Sequence, residues 1–443
     1  MRFSTHAFPL QCVAPHSPSS FVKVPSASSR EQPAGAPSAA LRQPGGLLLF
    51  MWGAYFLNYC DRQAIFAMFP VLKAELGLTD TQLGLTGSIF LWVYGIGCPI
   101  AGQLADRFSK RWLVVLSLAV WSAVTFATGL VGTAFALLAL RAAMGVSEAL
   151  YMPAAISLTA NAHAPERRSR AIALLTTAQI FGTVGGAWFG GWMAQQGNWR
   201  GAFFILGVVG LLYAVPYYLF LRKVNENTRV ETRPAGARLA IASLVRVPTY
   251  LMLCTVFPLF LFGLWLIYSW LPNFLHEKFT LNLSEAAFTA TAYLQGATLV
   301  GMLSGGFMAD RLYVYTRSSR LWLLVATLVF CAPCLHVLGN SATLTVTCLG
   351  AAGFGLFSGF LMGNIFPAAF EVVPADTRAS AVGVLNFCGA LLSGLAPLVG
   401  GMWKRTIGME TLLTLTAFVY LGGAVLVLLG IRYLFPRDYA RVH

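Results

Sequence analysis

The chain has 443 residues, of which 57% are apolar and only 10% charged, and its mean hydropathy is +0.69. A soluble domain carries about 25% charged residues. The length is therefore devoted to repeated membrane spans, and no large soluble domain fits. The net charge of +14 points to nucleic acid only until the charges are placed along the chain.

The first 45 residues are rich in Ser, Pro and Ala and have no apolar core. That excludes a cleavable signal peptide and reads as a disordered tail, with a mis-assigned upstream start or an organellar transit peptide as the other readings. Twelve apolar spans follow, at about 46–70, 82–104, 112–131, 134–161, 170–194, 200–221, 249–275, 286–310, 320–340, 342–370, 379–403 and 408–435. With the N-terminus in the cytoplasm, Lys73, Arg200, Lys278, Lys404 and Arg405 lie outside, and Arg62 and Arg141 lie within spans. The other 23 of the 30 Lys and Arg are cytoplasmic. That bias sets both termini inside. The basic composition reports topology and no nucleic-acid partner.

The first span carries Asp61 and Arg62, and Tyr55, Tyr59 and Arg62 recur at i, i+4 and i+7 on one helix face. The second span closes on Gly102-Gln103-Leu104-Ala105-Asp106-Arg107, followed by a basic loop that includes Lys110 and Arg111. The fourth span carries Arg141 and Glu148, with Gly145 between them on the same face. Each of these four buried charges costs roughly 2.5–3.5 kcal/mol at a helix centre. They sum to zero and can pair mutually. Arg62 and Arg141 share a depth of about 10–12 Å from the outer surface at 1.5 Å per residue, and Glu148 lies about two turns deeper. Two guanidinium groups at one depth suit a carboxylate. Two buried carboxylates beside them suit proton carriage. A static ion-pair network joining the first and fourth spans is the alternative.

The fifth span is glycine-rich (Gly182, Gly185, Gly186, Gly190, Gly191), and small faces let helices approach closely. Its Gly190-Gly191 and the preceding Arg168, Ala171 and Leu175 recur 210 residues on as Gly400-Gly401, Arg378, Ala381 and Leu385. The second-span phrase recurs 204 residues on as Gly306-Phe307-Met308-Ala309-Asp310-Arg311. Six spans plus six in the same orientation imply two bundles related by an axis along the membrane normal. The bundles are expected at 46–221 and 249–435, with a cytoplasmic linker over 222–248 and a short tail over 436–443. The second half lacks the buried charges: Arg141 aligns with Ala351 and Glu148 with Ser358. It offers neutral groups for hydroxyls instead: Tyr268, Trp270, Tyr293, Gln295, Asn364 and Asn386. The glycines and these neutral groups read equally as packing.

Of the eight cysteines, seven fall in spans and behave as small hydrophobes. Cys331-Ala-Pro-Cys334 has zinc-like spacing but no second pair, so neither a metal nor a cofactor is expected. No nucleophile–base grouping or phosphate loop argues for an enzyme.

The repeated Gly-x-x-x-Asp-Arg phrase, over a chain of this layout from about residue 46 onward, resembles the major facilitator superfamily. That implies an all-α membrane protein of 12 helices. It also implies a cytoplasmic latch built from Gly102, Asp106, Arg107 and Arg111 in the loop after the second span, with Asp310 and Arg311 as its second copy. Asn58-Tyr59-x-Asp61-Arg62 with Arg141-x-x-x-Gly145-x-x-Glu148-Ala149, and also Trp270-Leu271-Pro272 and Asn386-Phe387-x-Gly389, are similar to the anion:cation symporter family. The resemblance implies Arg62 and Arg141 for a substrate carboxylate and Asp61 and Glu148 for protons. Tyr55, Tyr59, Tyr151, Gln179, Tyr268, Trp270 and Asn386 complete the expected substrate site. The implied activity is proton-coupled symport of a small organic anion by a monomer in a bacterial inner membrane. Spinster-like lipid carriers share the Asn-Tyr-x-Asp-Arg phrase and the fourth-span Arg and Glu, which keeps a lysolipid carrier as the alternative. A membrane nutrient sensor is disfavoured, because no signalling domain is attached.

Overall fold

The computed structural model of the chain describes residues 44–163, 165–222, 243–374 and 377–443. Residues 1–43 of the N-terminal tail expected over 1–45, and most of the 222–248 linker, lie outside the described residues. The described residues form twelve spans. Span 1 is Pro44–Ala67, continued after Met68 by Phe69–Leu76. Spans 2 and 3 are Asp80–Arg107 and Lys110–Thr128. Span 4 is Ala134–Ala149, continued by Tyr151–Ala162. Spans 5 and 6 are Pro165–Gln195 and Trp199–Arg222. In the second half, spans 7 to 10 are Pro248–Phe279, Leu283–Tyr313, Ser319–Asn340 and Leu344–Phe370. Span 11 is Arg378–Ser393, continued by Leu395–Ile407. Span 12 is Met409–Leu429, which runs through a π turn, Gly430–Leu434, into Phe435–Val442.

Eleven of these are long and apolar enough to cross a bilayer. Span 1 is long enough, but Asn58, Asp61, Arg62 and Gln63 dilute its apolar character. All four of those side chains are buried inside the protein, which is where polar groups in a membrane helix belong.

Two expectations are corrected. The Gly-x-x-x-Asp-Arg phrases are not loops: both are the last helical turns of spans 2 and 8. The final residues are not a loose tail either. Asp438 is buried in the Phe435–Val442 helix and accepts a hydrogen bond from the Thr249 amide at 2.8 Å, capping the start of span 7.

The duplication is visible in the structure down to single hydrogen bonds. Thr133 caps span 4 through the Ala136 amide, and Thr343 caps span 10 through the Val346 amide. The chain turns left-handed at Gly77 (φ 62°) after span 1 and at Thr280 (φ 51°) after span 7. A Cβ added to Gly145 would lie 2.8 Å from the Phe90 carbonyl oxygen, and one on Gly355 would lie 2.2 Å from that of Leu294. Spans 4 and 2 thus pack as spans 10 and 8 do.

The same glycine test locates the seam between bundles. A Cβ on Gly191 (span 5) would lie 2.5 Å from the Leu283 carbonyl oxygen (span 8), and one on Gly401 (span 11) 2.2 Å from that of Asp80 (span 2). By contrast Gly182, Gly186 and Gly190 face span 1 within their own bundle, so only part of the glycine stripe serves the seam. Cross-bundle contacts continue along span 2 through Gly84 on Pro397, Ser88 accepting from the Leu398 amide, Trp92 donating to Leu391 and Gly95 on Ala390. All but Gly95, which lies just past the middle, are in the half of span 2 remote from its basic end. Toward the basic end, Gly306 and Gly383 have no atom within 4 Å of an added Cβ. The bundles are closed at the face opposite the basic turns.

Candidate functional site

The polar residues of span 1 and span 4 meet at the level of Thr86, Phe90 and Tyr94 of span 2. Arg62 donates to Glu148 Oε2 through Nη2 at 2.5 Å and Nε at 3.2 Å, and through Nη2 to Asn58 Oδ1 at 3.3 Å. The Arg62 side chain is 6% exposed and that of Glu148 is fully enclosed. Glu148 was expected about two turns deeper than Arg62; the two side chains, reaching toward each other, meet across that offset. The Arg62 guanidinium also lies 4.6 Å from the Tyr59 ring centre, 4.7 Å from that of Phe90 and 5.1 Å from that of Tyr94.

Arg141 lies over the same Phe90 ring at 4.9 Å. One ring from span 2 therefore holds both guanidinium groups, as the shared depth predicts. Arg141 differs in its partners. It donates to the Thr86 carbonyl at 3.3 Å and to the Met144 sulfur at 3.2 Å, and its Nη2 has no hydrogen-bond partner. Among the described residues it makes no ion pair. Asp61 does not pair with it; Asp61 Oδ2 accepts from Thr125 Oγ1 on span 3 at 3.1 Å, and Oδ1 is unpartnered. Glu148 Oε1 is unpartnered as well. An unmatched buried polar atom costs about 1–3 kcal/mol, and such atoms concentrated at one place in a membrane protein mark a site that awaits a ligand or a proton.

Around this cluster, Tyr55 donates to Gln179 Oε1 at 3.3 Å and meets the Tyr59 ring edge-on. Across the seam, Gln63 donates to the Tyr268 backbone carbonyl at 2.9 Å, and Gln295 donates to the Tyr268 hydroxyl at 3.1 Å. Tyr59, Arg62, Gln63, Tyr268 and Gln295 thus link the two halves at the level of the charges. The counterpart of Glu148, Ser358, is paired with Thr298 Oγ1 at 3.3 Å, so a neutral hydroxyl pair fills the second half's equivalent place.

Other expected residues fall elsewhere. Trp270 is not in the cluster. It is buried at the closed face, where its indole N–H donates to the Pro397 carbonyl at 2.9 Å and its ring meets Phe69. The Tyr151 hydroxyl is committed to the Met51 carbonyl at 3.0 Å. Asn364 bonds back to its own helix at Phe360, Tyr293 is half exposed, and Asn386 is exposed on span 11. Thr125, Thr86, Phe90 and Tyr94 escaped the sequence reading. A threonine or an aromatic in an apolar span gives no signal until the helix rotation is known.

On the basic face, the side chains of Asp106 and Arg107 and the surroundings of Gly102 lie outside what is described. Arg111 donates to the Leu221 carbonyl at 3.4 Å, joining spans 3 and 6. Asp310 pairs with Arg320 at 3.0 Å, and Arg320 also pairs with Glu371. Arg311 stacks on Phe307. The second copy is therefore bonded within its own bundle. Burial pushes the Glu371 carboxyl above its ordinary value, with Arg320 opposing.

The Major Facilitator Superfamily matches residues 51–397, and again 259–440. The chain belongs to that superfamily. Among curated relatives of this facilitator, the "Hexuronate transporter" of Bacillus subtilis (strain 168) is 26% identical over 392 residues, covering 85% of this chain and 91% of that protein. The "Probable L-galactonate transporter" of Escherichia coli (strain K12) is 27% identical over 372 residues, covering 80% and 82%. Among solved structures, a bacterial homologue of the human lysosomal transporter Spinster, inward-facing and occupied, superposes with a TM-score of 0.76 at 22% identity, covering 89% and 98%. That likeness concerns the fold alone. The facilitator is a multi-pass membrane transporter.

Proposed function

We propose that this facilitator carries a small organic anion, a sugar acid or related carboxylate, together with protons, by alternating access. The observation that carries the reading is the pairing of Arg62 with Glu148 beside an Arg141 that makes no ion pair among the described residues, both guanidinium groups on the Phe90 ring. The names of the relatives, hexuronate and galactonate transporters, support the substrate class.

Asp61, Arg62, Arg141 and Glu148 sum to zero. A carboxylate entering alone would leave a net buried charge, which the low-dielectric interior penalises. A proton entering with it keeps the sum at zero. The proton neutralises Glu148, which releases Arg62, and the substrate carboxylate takes the vacated place between Arg62 and Arg141. Asp61, held only by Thr125 on one oxygen, can take a second proton. Tyr268 and Gln295 face the polyol. The conformation described here, closed opposite the basic turns, is the cytoplasm-facing one, with both termini inside. The protein works as a monomer in a bacterial inner membrane, and Asp106, Arg107 and Arg111 latch the basic face in the opposite state.

The test is proton flux into proteoliposomes with a panel of hexuronates, aldonates, aromatic acids and lysophospholipids. An acid-induced proton current with a sugar acid is expected. Silence from every small acid, with a response to the lysolipid alone, would overturn the reading in favour of a lipid carrier.

A further inference from the structure

At the closed face, a cavity of about 170 Å³ lies on the seam between the two bundles, lined by Lys73, Asp80, Asn273, His276 and Glu277 among others. The charges in and beside it form two networks. Asp80 takes Lys73 Nζ on Oδ1 at 2.6 Å and Arg405 Nε on Oδ2 at 2.6 Å. Lys404 pairs with Glu277 at 2.7 Å and donates to Asn273. The lining itself carries Lys73 against Asp80 and Glu277; Arg405 and Lys404, which pair with those carboxylates from beside the cavity, bring the count to three cations against two carboxylates.

Asp80 is the member that joins the halves. Its carboxylate is 5% exposed and sits in the first turn of span 2, where the helix amides favour an anion. It holds Lys73 of its own bundle and Arg405 of the other. As at Arg62, an internal carboxylate occupies the place that a ligand carboxylate would take, here between two bonded cations. Arg405 is 70% exposed, so that cation is reachable from solvent, while Lys73 and Asn273 line the cavity behind it.

Resting on the anion-carrier reading, we propose that this cavity is an entrance site for the substrate's carboxylate, distinct from the central cluster. A carboxylate entering here exchanges with Asp80 for Arg405 and Lys73. The same exchange removes the ion pair that ties span 2 to span 11, so arrival of an anion releases the closed face.

A mere brace makes a different prediction. Asp80→Asn and Arg405→Gln both delete the cross-bundle ion pair, so a brace requires them to act alike. An entrance site requires them to act oppositely. Losing a charged partner of the anion should raise KM for uptake from this face about tenfold in Arg405→Gln, and losing the internal competitor should lower it in Asp80→Asn. Binding is read separately by saturation-transfer NMR with D-glucuronate on the full-length protein in nanodiscs. Arg141→Ala, which disables the central site, should retain the signal. Adding Lys73→Gln or Arg405→Gln should abolish it.

Loss of all signal in Arg141→Ala, or KM shifts of the same sign in Asp80→Asn and Arg405→Gln, would overturn the entrance site while leaving the central one intact. Silence of the wild type toward the sugar acid in both transport and binding would refute the anion reading, and this site with it.

Discussion

Glu148→Gln preserves the shape of the side chain and removes its charge, which isolates the role of the pair with Arg62. In the wild type, Glu148 Oε2 accepts from two nitrogens of Arg62 inside the protein. Breaking a buried pair by removing one partner costs about 3–5 kcal/mol when the other charge is left uncompensated. Arg62 would keep Asn58 Oδ1 and the faces of Tyr59, Phe90 and Tyr94. A desolvated cation over an aromatic ring recovers about 0.5–2 kcal/mol. The net loss should be about 1–4.5 kcal/mol, measurable as a lower unfolding temperature of the purified, ligand-free variant. A substrate carboxylate should then fill the vacated place without displacing an internal rival. At a fixed ligand concentration each tenfold gain in affinity adds about 1.4 kcal/mol of stabilisation, so D-glucuronate should raise the unfolding temperature of Glu148→Gln more than that of the wild type. In proteoliposomes the variant should exchange substrate yet fail to accumulate it under a proton gradient. Accumulation against a gradient by Glu148→Gln, or a smaller response to the anion than the wild type shows, would refute the coupling role.

Among the described residues Arg141 makes no ion pair, and its Nη2 has no hydrogen-bond partner. Arg141→Met should therefore unfold at the wild-type temperature or above it while losing anion binding by a hundredfold or more, about 2.7 kcal/mol; retained affinity in a binding titration would remove Arg141 from the site. Gly401→Ala places a methyl 2.2 Å from the Asp80 carbonyl oxygen, so the bundles must part at the closed face at a cost of about 1–3 kcal/mol. It should raise the reactivity of cysteines introduced along the seam, and unchanged labelling would show that the seam yields without opening. Glu371 has its carboxyl raised by burial, so the folded chain binds that proton more readily than the unfolded one. Its contribution is complete below the ordinary value of 4.5 and is lost as pH rises through the raised one. Unfolding temperature should fall over that window in the wild type and lose that part of its slope in Glu371→Gln; an identical slope in both would dismiss the carboxyl as its source.

The twelve spans, their duplication and the buried charges were legible because each depends on local composition. Apolar length alone sets a membrane helix, and repeated phrases carry repeated caps, as Thr133 and Thr343 do. The pairing of Arg62 with Glu148 was open to sequence reasoning because four buried charges that sum to zero have few partners. Trp270 was misplaced for the converse reason. An indole near a span's end suits a ligand or a seam equally, and only the position of Pro397 assigned it to the seam. Asp310 pairs with Arg320, ten residues on, a partner the phrase itself does not contain.

The sequence by itself determined that this is a duplicated membrane transporter with four charges it must bury, since hydropathy and residue spacing are properties of the chain. The tertiary structure decided which partner each charge received. Thr125 took Asp61, Phe90 brought Arg141 beside Arg62, and Asp80 came to bridge the two halves. Those outcomes depend on the rotation and depth of helices from different parts of the chain, which no local pattern encodes.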